Sequence, residues 1–296
     1  MAQPSPVPDP VLGFYGPGSQ MWHINREAVL LAAGPAALLL QVAHPLVGEG
    51  VHQHSDFEAD PPARLRRTLR TTLALVFGDG PRAERAVERL NRVHGAVRGD
   101  VADESARRLA VRYRALDPEL LLWVQATLIW TSIAAYGRWV GPVRPEEREA
   151  LWQEARHVGV RMGIPLDTSP PDWPAFEAYW AKMLAPDGPI HVTPTSRRLG
   201  LLIARSPMPF LPAPLVDLLM LPALDMLPER LREEYGLPWG PGRARLAHAV
   251  DHAVRLWVRL LPTSWRAMPE ARGAERRARA HGASMRATSR SASSTE

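Results

Sequence analysis

Apolar residues recur at intervals of three and four over most of this chain. The repeated period-two alternation with Gly/Asn turns that marks a sheet is not found. Such a pattern folds as helices. The expectation is an all-α protein with one large, mostly helical domain over residues 13–268, globin-like in helix content. A flexible segment 1–12 precedes it, and a basic, largely disordered tail 269–296 follows. Thirty prolines among the 296 residues stiffen the joints between helices. Asp117-Pro118-Glu119 joins an N-cap, a first-turn proline and an acidic first turn, and opens a central apolar helix that ends before Gly141-Pro142. Helices are also predicted from about Asn25 toward Gln41 with a break at Gly34-Pro35, over Ala63–Phe77, and from Pro81 through Arg98. Others fall near Pro145–Met162, Trp173–Leu184, Ala213–Leu221, Pro228–Tyr235 and Ala244–Leu260. Between His44-Pro45 and the helix at Ala63, the polar stretch Gly48–Pro62 reads as a loop.

Composition excludes several chemistries. The chain has no cysteine, so disulfides, thiolate catalysis and cysteine-ligated clusters are ruled out, and any metal must be held by His, carboxylate or oxygen. Of the net charge of +5, the segment Pro262–Glu296 supplies seven arginines against three glutamates, leaving a nearly neutral body. That distribution predicts no specific nucleic-acid partner. The start, MAQPSPVPDP, lacks a basic region followed by an apolar one, which predicts a cytoplasmic protein. Ala28–Gly48 and Leu120–Gly137 lack formal charge for long enough to resemble membrane spans. Gly34-Pro35 and His44-Pro45 break the first, and Gln125, Thr127, Thr131 and Ser132 interrupt the second. Both read as buried helices, with no transmembrane segment. The P-loop, the dinucleotide-binding glycine fingerprint, the nucleophile elbow and the HExxH zinc motif are all absent.

Three groups of residues carry candidate chemistry. Val87, Leu90, His94 and Val97 fall on one helical stripe, so His94 points toward the core with Arg98 one turn beyond. An imidazole there is either a hydrogen-bonded core histidine or the ligand of a metal or haem iron. Arg64, Arg66, Arg67 and Arg70 occur beside Thr68, Thr71 and Thr72, with no acid between Asp60 and Asp79. Their guanidinium groups either border an anion or form a solvated basic face. The third group, His44, Glu49, His52, His54, Asp56 and Glu58, is dense in ligand-type side chains without a diagnostic spacing. It reads as a metal-binding loop or as a solvated one.

The blocks AAGPAALLLQVAHPLVGEGVHQHSDF, RLRRTL, VFGD, RVHGAVRG, LLWVQATL and LREEYGLPWGP together resemble the oxygenase family of MpaB and the catalytic domain of latex clearing protein, in the same order from about Gly13 to Arg272. The resemblance implies a helical domain with haem b buried between helices. It also implies oxidative cleavage, by dioxygen, of a carbon–carbon double bond in an isoprenoid or lipid-like substrate. Carried over by position, His94 is the proximal iron ligand, Arg98 the arginine that follows it, and Arg64, Arg67 and Thr68 line the distal side or meet the propionates. Glu49 or Asp56 is implied as the base for an allylic proton. Two departures stand out. Arg67 occupies the place of a lysine that approaches iron in latex clearing protein, and a guanidinium that stays protonated is a very poor ligand. Gln125 replaces a histidine carried by many relatives. The partners implied are a small apolar unsaturated substrate, dioxygen and an electron donor. Activity departing with Gln125 would leave a non-catalytic haem or lipid binder, and the histidine loop leaves a metal-dependent enzyme as a further alternative.

Overall fold

A short polar side chain followed within two residues by proline starts several of the helices. Asp117 accepts a hydrogen bond from the Glu119 N–H (3.0 Å), Asp79 from Arg82 (2.9 Å), Asp172 from Ala175 (2.9 Å) and Thr193 from Ser196 (3.1 Å), each satisfying a first-turn donor. The structure, a computed structural model, describes residues 7–55, 61–205 and 211–293, excepting the side chains of residues 61–65 and 284–293. In chain order the helices are α1 (Gln20–Asn25), α2 (Gly34–Val42), α3 (Pro45–His54), α4 (Pro61–Phe77), α5 (Gly80–Ala96), α6 (Pro118–Trp139) and α7 (Pro145–Gly159). There follow α8 (Trp173–Leu184), α9 (Pro194–Ala204), α10 (Ala213–Asp225), α11 (Glu229–Tyr235), α12 (Pro241–Leu260), α13 (Thr263–Arg266) and α14 (Pro269–Ser293). The fold is all-α, as the periodicity predicts.

Helix α6 is apolar all round because it is surrounded. Leu122, Ala126, Ile129 and Ile133 face a core shared with α1, α4, α7, α8 and α14, while Trp123 enters a second core formed with α2, α9 and α11. Among the described residues α6 alone is long and apolar enough to cross a membrane, and 61% of its most apolar window is buried inside the protein. The other uncharged stretch bends by 104° where Ala28–Val42 meets α3. Tryptophans anchor both cores. Trp22 meets Phe77 edge-on at 5.2 Å, and Trp180 stacks between Trp123 and Trp130 at 5.3 and 4.8 Å.

Several expectations are corrected. The break expected at Gly34-Pro35 is the junction where a 3-10 helix over Ala28–Ala33 gives way to α2, with proline at home in the first turn. Much of the stretch read as a loop is α3, and its glycines serve contact: Gly48 sits against Ser196, and Gly50 against Tyr113 and Val97. A two-stranded antiparallel ribbon, β1 (Arg98–Asp100) with β2 (Arg112–Arg114), follows α5, which ends at Ala96 before reaching Arg98. Helix α9 was not foreseen. Of the N-terminal segment, the described residues before Gly13 make local and long-range bonds: Asp9 accepts from the N–H groups of Val11 (2.8 Å) and Leu12 (2.7 Å), and Gly80 N–H donates to the Pro10 carbonyl; residues 1–6 lie outside the described residues. The segment expected as a disordered tail is the helix α14, with Ala271 and Ala274 buried and Glu275 paired to Arg26 at 3.0 Å.

Candidate functional site

The buried stripe of α5 runs through Ala83, Ala86 and Val87 to the half-buried Leu90 and His94. His94 Nδ1 is buried and has no hydrogen-bond partner among the described residues, and burial pulls the pKa of the ring below the usual histidine value. The imidazole is therefore neutral near pH 7 with one ring nitrogen unsatisfied, a costly state for a core histidine and a ready one for a ligand. Helices α4 and α5 form an antiparallel hairpin through Gly78-Asp79. His94, near the end of α5, thus lies at the same end of the hairpin as the first turns of α4, which carry Arg64, Arg67 and Thr68. Arg66, Arg67, Thr68 and Arg70 are exposed, so this basic face is open, while the Arg64 side chain lies outside the described residues. Thr71 and Thr72 turn their hydroxyls onto the carbonyls of Arg67 and Thr68 (both 3.1 Å).

The ribbon joins α3 to this end. His54 Nε2 donates to the carbonyl of Arg98 (3.1 Å), and the Arg98 side chain, on β1 and not on the helix, is exposed. Glu49 is fully buried on α3. Its Oε2 accepts from Gln53 Nε2 (2.9 Å) and from the Ala102 N–H (3.3 Å), while Oε1 has no partner among the described residues. Gln53 also donates to the Asp100 carbonyl (3.1 Å) and accepts from the Tyr113 hydroxyl (2.8 Å). Burial, with the charges of Glu49 and Asp100, raises the Tyr113 pKa. The ribbon thus links Glu49 and His54 on α3 to Arg98 and Ala102, and follows directly on the His94 end of α5. Sequence reasoning missed Gln53 and Tyr113. The i, i+4 spacing of Glu49 and Gln53 was the available signal for the first.

Among the described residues the histidine-rich stretch does not assemble into a metal site. No group of three or more candidate ligands is found among the described residues; Asp56 and Glu58 lie outside them. His44 instead caps α3, its Nδ1 accepting from the Leu46 N–H (3.3 Å), and His52 Nε2 accepts from the Arg198 guanidinium (3.2 Å). Gln125 is buried between α6 and α7. Its amide donates to the Ala155 carbonyl (2.8 Å), and its Oε1 has no partner among the described residues. A cavity of about 560 Å³ lies elsewhere, between α6, α10 and α12. Arg138 forms its floor, pairing with Asp225 (2.6 Å) and with Asp251, and Trp139 Nε1 donates to Asp251 (2.8 Å).

The sequence profile described as "ER-bound oxygenase mpaB/B'/Rubber oxygenase, catalytic domain" matches residues 21–286. The chain belongs to this family. The mpaB/rubber oxygenase assignment makes it an oxygenase catalytic domain, an enzyme of the oxidoreductase class. Uncharacterized proteins of Mycobacterium tuberculosis and Mycobacterium bovis are each 31% identical to it over 239 residues, covering 77% of this chain and 89% of theirs. No solved structure matches significantly. The profile spans α1 through most of α14. The segment expected to be a tail is therefore largely inside the mpaB/rubber oxygenase domain.

Proposed function

We propose that this mpaB/rubber oxygenase family member is a haem b-dependent oxygenase that uses dioxygen to cleave a carbon–carbon double bond in a small apolar unsaturated substrate, isoprenoid or lipid-like. The observation that carries the proposal is His94, a neutral, half-buried imidazole with an unpartnered ring nitrogen at the edge of the core. The residues around it fit such a group. Arg98 with Arg66, Arg67 and Arg70 of α4 supplies exposed guanidinium groups for anionic substituents, and Arg64 precedes Arg67 by one turn along the same helix. Bound there, haem supplies the iron at which dioxygen is activated. The cleavage balances without a reductant, because the two oxygen atoms end in the two carbonyl products. An electron donor then serves only to prime the enzyme.

The protein residues have separable tasks. Glu49 offers a buried carboxylate with one oxygen tied down by Gln53 and Ala102 and the other unpartnered, a fixed acceptor for a substrate allylic proton. Thr68 and Arg67 border the open side. The Arg67 guanidinium would hold an anionic substituent of the group and would not serve as an iron ligand. Gln125 favours one second reading, a haem or lipid binder without turnover. Its amide is committed to Ala155, and unlike the histidine that the family resemblance implies at this position, it carries no titratable proton.

The test is the absorption spectrum of protein made in haem-supplemented cells, beside His94→Ala. The expected result is a Soret band with near-stoichiometric haem that is lost or strongly altered in the variant while helical circular dichroism is unchanged. A folded, colourless, iron-free wild-type protein overturns the proposal. Haem-loaded protein that binds dioxygen when reduced, yet cleaves no alkene in a screen of unsaturated lipids, selects the binder.

A further inference from the structure

Helix α12 is buried on one face only. Ala247, Asp251 and Val258 pack inward against α10 and α6. On the opposite face Leu256 is 60% exposed, Trp257 60% and Leu260 73%, and Trp265 on the next short helix, α13, is 75% exposed. At 100° per residue, Leu246, Leu256, Trp257 and Leu260 fall in one sector, and the exposed Ala249 and Ala253 fill the stripe between them. Exposed apolar side chains are ordinary when scattered. A stripe running the length of a helix and continued by a second tryptophan is not.

Charge identifies the cover. Arg245, His252 and Arg259, at i, i+7 and i+14, are exposed in a row along one edge of the stripe. Over residues 241–266 the sole acid is Asp251, which is buried and held by Arg138 and Trp139. Arg243, on the other edge, pairs with Asp217 of α10 at 2.7 Å. The exposed charge flanking the apolar stripe is thus positive and lies in a line parallel to it, which suits a planar anionic surface with an apolar layer beneath its headgroups.

We infer that the outer face of α12, continued by Trp265, docks this protein peripherally on an anionic lipid bilayer, with the helix in the plane of the interface. Leu256, Trp257 and Leu260 enter the headgroup–acyl boundary, and Arg245 and Arg259 meet lipid phosphates. This inference is independent of the chemistry proposed for His94, which lies on a different helix.

The test is co-sedimentation of the full-length protein with vesicles of phosphatidylcholine alone and of phosphatidylcholine with about one-third phosphatidylglycerol, at ~50 and ~500 mM salt. The expected result is binding to the anionic vesicles that weakens with salt. Leu256→Asp with Leu260→Asp should lower it by about tenfold or more, and Arg245→Glu with Arg259→Glu should abolish the preference for phosphatidylglycerol. These side chains are exposed, so both variants should keep the wild-type circular dichroism and melting temperature. Absence of binding to either vesicle at low salt overturns the inference, as does binding that the Leu256/Leu260 variant leaves unchanged. If the protein ignores vesicles and sediments as a dimer that the leucine variant disperses, a second copy covers this face and the lipid inference fails.

Discussion

His44 caps α3 with its own ring, and this role demands the neutral form, because Nδ1 must accept the Leu46 N–H. Burial, reinforced by the neighbouring His191, pushes its pKa down to about 4 from 6.5. Between these values the unfolded chain takes up a proton that the folded protein refuses. Stability is therefore full above about pH 6.5, falls as pH drops toward 4 and levels below it, a loss of up to about 3 kcal/mol for this group. Burial raises the pKa values of Glu27 and Glu154, which act with the opposite sign over the acid range. The contribution of His44 is thus read by difference: urea midpoints from pH 7 to 4 should fall more steeply for wild type than for His44→Gln. Parallel profiles would show that the ring is not held neutral. His94 was legible from sequence because it extends an apolar stripe. The hydrogen-bonding role of His44 was hidden, because a histidine before a proline carries no cap signature of its own.

At the level of elements, the helices announced by a capping side chain and a proline were legible. Trp173–Leu184 behind Asp172 has the expected bounds, and the central helix starts where Asp117-Pro118 places it. Thr193-Pro194 is the same signal for α9, masked by the surrounding polar and proline-rich stretch. Helix α3 failed the reading because its glycines lower helix propensity by about 1 kcal/mol each, a deficit that tertiary contact offsets. The ribbon was illegible because strands of three residues leave no alternation to detect. It also moves Arg98 off the helix, so the candidate site has a strand on one side. Gly200 on α9 shows how such contacts work: a Cβ there would overlap the ring of Tyr235, which is fully buried and donates its hydroxyl to the Leu39 carbonyl at 2.6 Å. Alanine gains about 1 kcal/mol in helix propensity, but displacing a locked aromatic costs more. Gly200→Ala should therefore destabilise by a net ~1–2 kcal/mol. Pairing it with Tyr235→Leu should cost less than the sum of the two single changes in denaturant titrations. Additive losses would mean that the two positions do not press on each other.

At the scale of the whole molecule, the chain closes on itself. Glu27 and Ala267 form an isolated antiparallel bridge, Met268 N–H donates to the Arg26 carbonyl at 2.8 Å, and Arg266 lies 3.4 Å from Glu27. Helix α14 completes the closure. Arg277 donates to the Phe77 carbonyl at 2.5 Å, and the helix forms one wall of a 310 Å³ cavity whose other wall includes Leu73 and Phe77 of α4. Its composition concealed this role, because small alanines rather than large side chains make the buried face, and close approach replaces bulk. Alanine and arginine are also strong helix formers, so the Arg/Ala-rich composition that suggested a solvated tail equally suits a helix once it has a surface to lie on. Deleting 269–296 would expose the α4 face beneath, with an expected loss of roughly 2–4 kcal/mol and a fall in melting temperature on the order of 5–10 °C. The shortened chain should also be cut faster by protease near α1, where Arg26 loses Glu275. Because α4 carries Arg64, Arg67 and Thr68, loosening it reaches the candidate site: on the proposal that His94 holds haem, the haem affinity of the shortened chain should drop even though His94 is untouched. Unchanged melting with unchanged haem binding would mean that α14 rests on the domain without supporting it.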